Sequence, residues 1–463
     1  MFSRRLLIFG FFSLLLVSIF SGCLRTKTAA PQATNEPITL VFYGLFDPEE
    51  VWSPLIQSYE NAHPGVSIVY KNFTDPSTYM DLIINELAEG EGPDIFMMHN
   101  TWFTEHYKKL SPAPESLVNP EVFRDLFLEV AGKDLILPDA AGKEQVWGLP
   151  VYVDTLALFY NKDHLEEAVP ERGKPGATWV ELQADVQALT REDQSFSRFE
   201  RSGLALGRTD NILRGFDTLM MLFLQHKVSF YDAEGKQVIL DKNPQATSAL
   251  ELFSSFAQKN NQNYTWSATA ADPKTSEKEL TAFASGKLSM LFGFSYTYQD
   301  ILQEIARLNR QNKKTIDPKD IRIQESPQVF DPKASADTRE AYASYFAPVV
   351  SRTTSHPQEA WDFLVSLSDP AQMKSYHTST NKTSALRSLL SEQKTDPIYG
   401  AFALQAGYAD SIPMPDADKM QALFTEIIQL NLEQGDAAAL LKEAVQKLQA
   451  LIPINGIPGL VRQ

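Results

Sequence analysis

One cysteine, Cys23, in 463 residues leaves no internal disulfide framework and no zinc site built on cysteine pairs. Histidine is scarce as well. The seven are scattered, His99 has no second His or carboxylate at i+3 or i+4, and Glu105 and His106 fit no metal motif. G-x-S-x-G, H-E-x-x-H, Walker A and G-x-G-x-x-G are all missing, and Ser285-Gly286-Lys287 lacks the upstream glycine of a phosphate loop. No metal, no cofactor and no His-based triad is expected. Positive charge is the minority sign: 42 Lys and Arg against 58 Asp and Glu give −16, so nothing electrostatic draws the chain to nucleic acid or an anionic membrane. Internal repeats are lacking too.

Long apolar runs are absent except at the start. Leu6 to Phe20 holds 15 residues without charge behind Arg4 and Arg5, short of the ~20 that a spanning helix needs, and it reads as a signal peptide over residues 1–22. The small residues Ser21-Gly22 stand just before Cys23, which resembles a bacterial lipobox with Phe20 in place of the usual Leu. That resemblance implies cleavage before Cys23 and lipidation of its side chain. Residues 24–36 are polar and without apolar period, so 23–36 is expected to be a flexible, lipid-anchored tether. Residues 23–463 carry 40 basic and 58 acidic side chains, net −18.

A body of this length predicts two or three domains, and the 43% apolar fraction suffices to bury their cores. Ile38–Tyr43, Val66–Tyr70 and Ile95–Met98 are apolar strands, separated by helices with Val51, Trp52, Leu55, Ile56 and Tyr59 on one face and Tyr79, Ile83 and Leu87 on the next. Such alternation means a parallel sheet with helices on both faces. Ligands of these sheets sit beyond the carboxyl ends of the strands. That rule selects Phe46 and Asp47 after the first strand, and His99, Asn100, Thr101 and Trp102 after the third. Further on, Thr178 and Glu181 form a capping box that starts the helix Trp179–Leu189, which makes Trp179 structural. Arg208, Asp210 and Asn211 lie in another strand-to-helix loop, and Phe294 to Tyr298 form the exit loop of the buried strand Leu288–Phe292. Trp361 and the stripe Ala437, Leu440, Leu441, Ala444, Val445, Leu448 and Leu451 read as core.

Between these parts runs Pro150-Val-Tyr-Val-Asp-Thr-Leu-Ala-Leu-Phe-Tyr-Asn-Lys162, an apolar strand interrupted by Asp154. It resembles the lobe-crossing segment of family 1 extracellular solute-binding proteins, the maltose-binding-protein-like receptors of ABC importers. Thr178-Trp-Val-Glu-Leu182 and Phe283-Ala-Ser-Gly-Lys-Leu-Ser-Met290 are similar to two further motifs of that family. The resemblance implies an α/β, two-lobed periplasmic-binding-protein-like fold, each lobe a mainly parallel sheet flanked by helices, joined by a multi-crossing hinge. Lobe 1 is expected at 37–152 and 321–368, and lobe 2 at 153–320 and 369–463, with crossings at Tyr152–Asp154, near Lys319 and before Asp369-Pro370.

It also implies a substrate-binding lipoprotein, not an enzyme, that captures a carbohydrate between its lobes and delivers it to permease subunits. The protein is then a monomer on the extracytoplasmic face of the cell membrane, held there by its lipid. Carried over, the sugar-touching positions are the loop His99–Trp102, Asp154, Ser295 and Tyr296; the exit-loop rule adds Asp47, Arg208 and Asn211. Asn100-Thr101-Trp102 stands where the maltose-binding member has an Asp-Arg pair, and Ser295 falls near one of its stacking tryptophans, departures that bear against maltose itself. From the residues alone a secreted sugar hydrolase needs only two carboxylates about 5 to 9 Å apart. A surface adhesion protein is the other alternative.

Overall fold

The structure is a computed structural model that describes residues 37–192, 199–271, 274, 278–331 and 338–460. The signal-like run, Cys23 and the tether lie outside these residues. Strand β1 (Ile38–Leu45), helix α1 (Glu49–Ala62), strand β2 (Val66–Phe73), helix α2 (Pro76–Glu89) and strand β3 (Ile95–His99) follow one another as their apolar periods dictate. In α1 the buried stripe is Trp52, Leu55, Ile56 and Tyr59, at i, i+3, i+4 and i+7. The Asp75 carboxylate caps α2 by accepting from the Ser77 N–H at 2.9 Å, and Gly90 ends the helix at φ +81°. β1 pairs in parallel with β2 from Ile38↔Val66 to Leu45↔Phe73, and with β3 at Phe42↔Ile95. A late strand, Phe346–Val350, returns to close the far edge antiparallel to β3, with Phe346 opposite His99.

The second sheet orders its strands Ile321–Gln324, Ala157–Asn161, Leu288–Gly293, Phe199–Leu204 and Arg191–Glu192. It is mixed. Leu288–Gly293 and Phe199–Leu204 run parallel, whereas Ala157–Asn161 is antiparallel to both neighbours because it enters straight from the other lobe. Each lobe has its own core: Phe42, Trp52, Phe96 and Trp361 in the first, Leu158, Leu219, Phe253 and Phe424 in the second, with a smaller cluster round Phe159, Trp266 and Phe283. The capping box at Thr178 makes both of its bonds, and Trp179 is buried with its indole N–H on Gln225 Oε1 at 2.7 Å.

Three short strands make the hinge: Asp154–Thr155, Ala341–Ser344 and Ala409–Asp410, joined at Ser344↔Asp154 and Ala341↔Ala409. Each lies between residues of different cores, as Val153 and Leu156 do for the first. Two expected boundaries therefore move. Ile321–Gln324, assigned by sequence to lobe 1, pairs with Ala157–Asn161 in the second sheet. Met373, Tyr376, Leu386 and Leu390, assigned to lobe 2, pack in the first core. The physical reason is that Asp317-Pro318 and Asp369-Pro370, beside which these crossings were expected, are helix starts: Asp317 accepts from Lys319 N–H and Asp369 from Ala371 N–H, each with proline at the first helical position. The second crossing thus lies at Ala341–Ser344, not near Lys319, and the third at Ala409–Asp410, not before Asp369.

Candidate functional site

The carboxyl end of β1 leads into Phe46, a non-glycine residue at φ +70° that is 46% exposed. The side chain sits edge-on to Phe346, with centroids 5.8 Å apart. At the end of β3, His99 packs edge-on to the same ring at 4.8 Å, and Trp102 does so at 5.6 Å. Phe46, His99 and Trp102 thus gather round Phe346 in one aromatic wall on lobe 1. The His99 imidazole bonds Thr101 Oγ1 at 2.7 Å and Ser344 Oγ at 2.9 Å. Burial pushes its pKa down to about 3, and the nearby Arg214 charge adds to the effect, so the ring is neutral at ordinary pH.

Beside this wall Asp47 is fully engaged, taking the Tyr376 hydroxyl at 2.6 Å and Lys382 Nζ at 2.7 Å. Lys382 also lies over the Tyr152 ring, 4.4 Å from its centroid. Asn100 points inwards. Its amide donates to Asp134 Oδ2 at 3.1 Å and its carbonyl accepts from the Tyr345 N–H, which fixes the β3 exit loop and leaves little for a ligand. Burial raises the Asp134 carboxyl to about 6 against the hydrogen bonds from Ser411, Tyr345 and Asn100.

The facing wall comes from lobe 2. Gly293 ends its strand where a Cβ would lie 2.6 Å from Thr297 Oγ1, so the turn into Phe294-Ser295-Tyr296 has room only for glycine. Tyr296, 41% exposed, lies nearly parallel to Phe294, and the Arg214 guanidinium sits 5.4 Å from both ring centroids. Asp217, 3.5 Å from Arg214, supplies the opposite charge. Between the walls, Asp154 accepts from the Ser295 hydroxyl at 2.6 Å and from the Thr155 N–H at 2.9 Å. Burial lifts its pKa to about 6, while these bonds act in the other direction.

The nine positions selected from sequence separate on this geometry. His99, Trp102 and Tyr296 present rings at the walls; Asp47, Asn100, Asp154 and Ser295 support them from behind. Arg208 and Asn211 do not join the group. Arg208 forms a two-pronged ion pair with Asp210, and buried Asn211 takes the Trp266 indole N–H at 2.9 Å while donating to Ser267 O, so both pin their own loop. Arg214, the last residue of that loop, is the one that reaches the aromatic wall. Its position just before a buried helix was the available signal. Phe346 carried none, because nothing local shows that its strand closes the edge beside β3. Among the described residues no group of three His, Cys, Asp or Glu is placed to hold a metal. The walls can stack on apolar ring faces and donate hydrogen bonds from a guanidinium and hydroxyls.

A family model described as bacterial extracellular solute-binding protein matches residues 54–400. The chain belongs to that family. Proteins of this family bind solutes outside the cytoplasm and do not transform them. Among solved structures, this solute-binding protein is similar to a sugar-binding protein of Xanthomonas citri, with a TM-score of 0.70 at 18% identity over 89% of this chain and 97% of that one. A cyclic alpha-maltosyl-1,6-maltose binding protein of Arthrobacter globiformis gives 0.69 at 16% identity over 90% and 99%. At these identities the likeness establishes the two-lobed fold. A curated binding protein of Brucella abortus is 25% identical over 144 residues, 30% of this chain and 33% of that protein, so the match spans about a third of the curated relative.

Proposed function

We propose that this solute-binding protein captures a carbohydrate between its lobes and delivers it to the permease subunits of an ABC importer, anchored to the membrane by a lipid on Cys23. The observation that carries the reading is the pairing of walls: Phe46, His99, Trp102 and Phe346 on lobe 1, and Arg214 over Phe294 and Tyr296 on lobe 2. A sugar ring offers C–H faces that lie against aromatic rings and hydroxyls that take hydrogen bonds at its edge. Neutral His99 and the Arg214–Asp217 pair leave the walls without the excess charge that an ionic solute demands. The sugar-binding proteins among its structural neighbours support the same class. A ligand that touches both walls gains most when they approach, which favours a closed state.

A thermal-shift screen against a carbohydrate library tests the proposal. A cognate sugar at 100 times its Kd adds ~2.7 kcal/mol to stability. An oligosaccharide hit should be recovered intact after incubation; release of shorter sugars would instead mean hydrolysis. A broad library without a stabilising sugar overturns the carbohydrate reading.

A further inference from the structure

Away from the aromatic walls, the helix Pro370–Thr380 borders a second pocket of about 360 Å³, lined by Lys374, His377, Asn381, Glu392, Asp396 and Tyr399 among others. Its inner end is His377, which is 7% exposed, and among the described residues neither of its ring nitrogens has a hydrogen-bond partner. Leaving such a group dry and unbonded is costly, so a buried imidazole with both nitrogens free on a polar pocket points to something that bonds it. Consecutive helical residues point about 100° apart. Tyr376 therefore serves Asp47 at the aromatic wall while His377 serves this separate pocket.

The lining indicates what fits. Lys374 and Glu392 neutralise each other at 2.7 Å. Asp396 already takes the N–H groups of Ile398 and Tyr399, and its charge disfavours an anion. Lys382, whose charge acts on His377, disfavours a cation beside the imidazole. Burial lowers the His377 pKa to about 4, opposed by the Lys382 backbone, which stays outside bonding geometry. A neutral imidazole offers one donor and one acceptor, as a hydroxyl does. The volume lies at the small end of known ligand sites, about 300–1,000 Å³.

We propose that this pocket is a second binding site, for an uncharged polyhydroxy molecule the size of one sugar ring, held by His377 at its base and Asn381 and Thr378 at its rim. It does not rest on the carbohydrate reading of the cleft, because none of its residues lies in either wall.

The experiment is nitrogen-15 NMR of the histidine rings in the full chain at pH 7.5, titrated with glycerol, sorbitol and glucose to about 100 mM, where ligands with Kd of about 1–10 mM come close to saturation. His377→Gln assigns the signals, and an Arg214→Ala chain disables the aromatic cleft. A saturating shift of the His377 nitrogens with at least one probe, retained in Arg214→Ala and weakened at least threefold in Asn381→Ala, is the expected result. No shift with any probe overturns the proposal. So does a shift that moves in step with His99 and disappears in Arg214→Ala, since it then originates in the cleft. If His377→Gln does not fold, Thr378→Val at the exposed rim assigns the same signals by their displacement.

Discussion

Ser295 gives both its hydroxyl and its backbone N–H to the Asp154 carboxylate, at 2.6 and 3.1 Å from Oδ2. This joins the exit loop of lobe 2 to the hinge strand. Removing the hydroxyl in Ser295→Ala leaves a buried charge short of a partner, and urea unfolding should show a loss of ~1 to 3 kcal/mol.

The same carboxylate makes a pH prediction. Its native pKa of about 6 lies above the ~3.9 of an unfolded aspartate. The folded state therefore binds the proton more tightly, so this group's stabilising contribution is complete below about pH 4 and is lost as pH rises through about 6. The difference in unfolding free energy between wild type and Asp154→Asn, measured from pH 4 to 7, should fall over that window and level off above it. A difference that is flat with pH contradicts the assignment.

Arg214 and Arg208 share a loop yet should behave oppositely. With the cognate solute, Arg214→Ala is expected to weaken binding at least tenfold, or about 1.4 kcal/mol, and Trp102→Ala by ~2 kcal/mol, whereas Arg208→Ala should stay within twofold. Calorimetry on folded variants decides this. Equal losses for both arginines would return the site to the strand-exit assignment made from sequence.

His99, with a pKa of about 3, should remain neutral from pH 8 down to about 5. Its depressed value means that the stability tied to the neutral ring is whole above about 6.5 and drains away as pH falls toward about 3. Ring nitrogen shifts are the readout; a midpoint near 6.5 is the contrary result.

For the anchor, Cys23→Ala should give an unprocessed precursor without lipid. Mass spectrometry of the wild-type mature chain should find Cys23 at its N-terminus carrying acyl chains, and a mature chain starting elsewhere would remove the proposal.

The sequence made the local elements legible and left the distant pairings hidden. β1 to β3 and their helices follow from apolar periods, and the Thr178–Glu181 box marks a helix start whose two bonds both form. The return of Phe346–Val350 to β3 spans some 250 residues, and an apolar strand carries no record of its partner. Asp-Pro reads equally as a linker or as an N-cap, which displaced two of the three crossings. At the candidate site, the strand-exit rule picked out loops that carry rings of the two walls. It did not tell Asn211, whose amide is used up inside, from Arg214, whose charge reaches the wall, because both are polar residues of one loop.

Phe46 sets folding and binding against each other. An aromatic residue at φ +70° occupies backbone space that glycine fills at no steric cost, so Phe46→Gly relaxes the chain at the very point where it deletes an exposed ring from the wall. Stabilising engineering that searches for left-handed non-glycine residues would choose this position early. The gain in melting temperature would come with a blunter receptor, and a selection run on heat resistance alone would drift toward a sturdy protein that no longer holds its cargo.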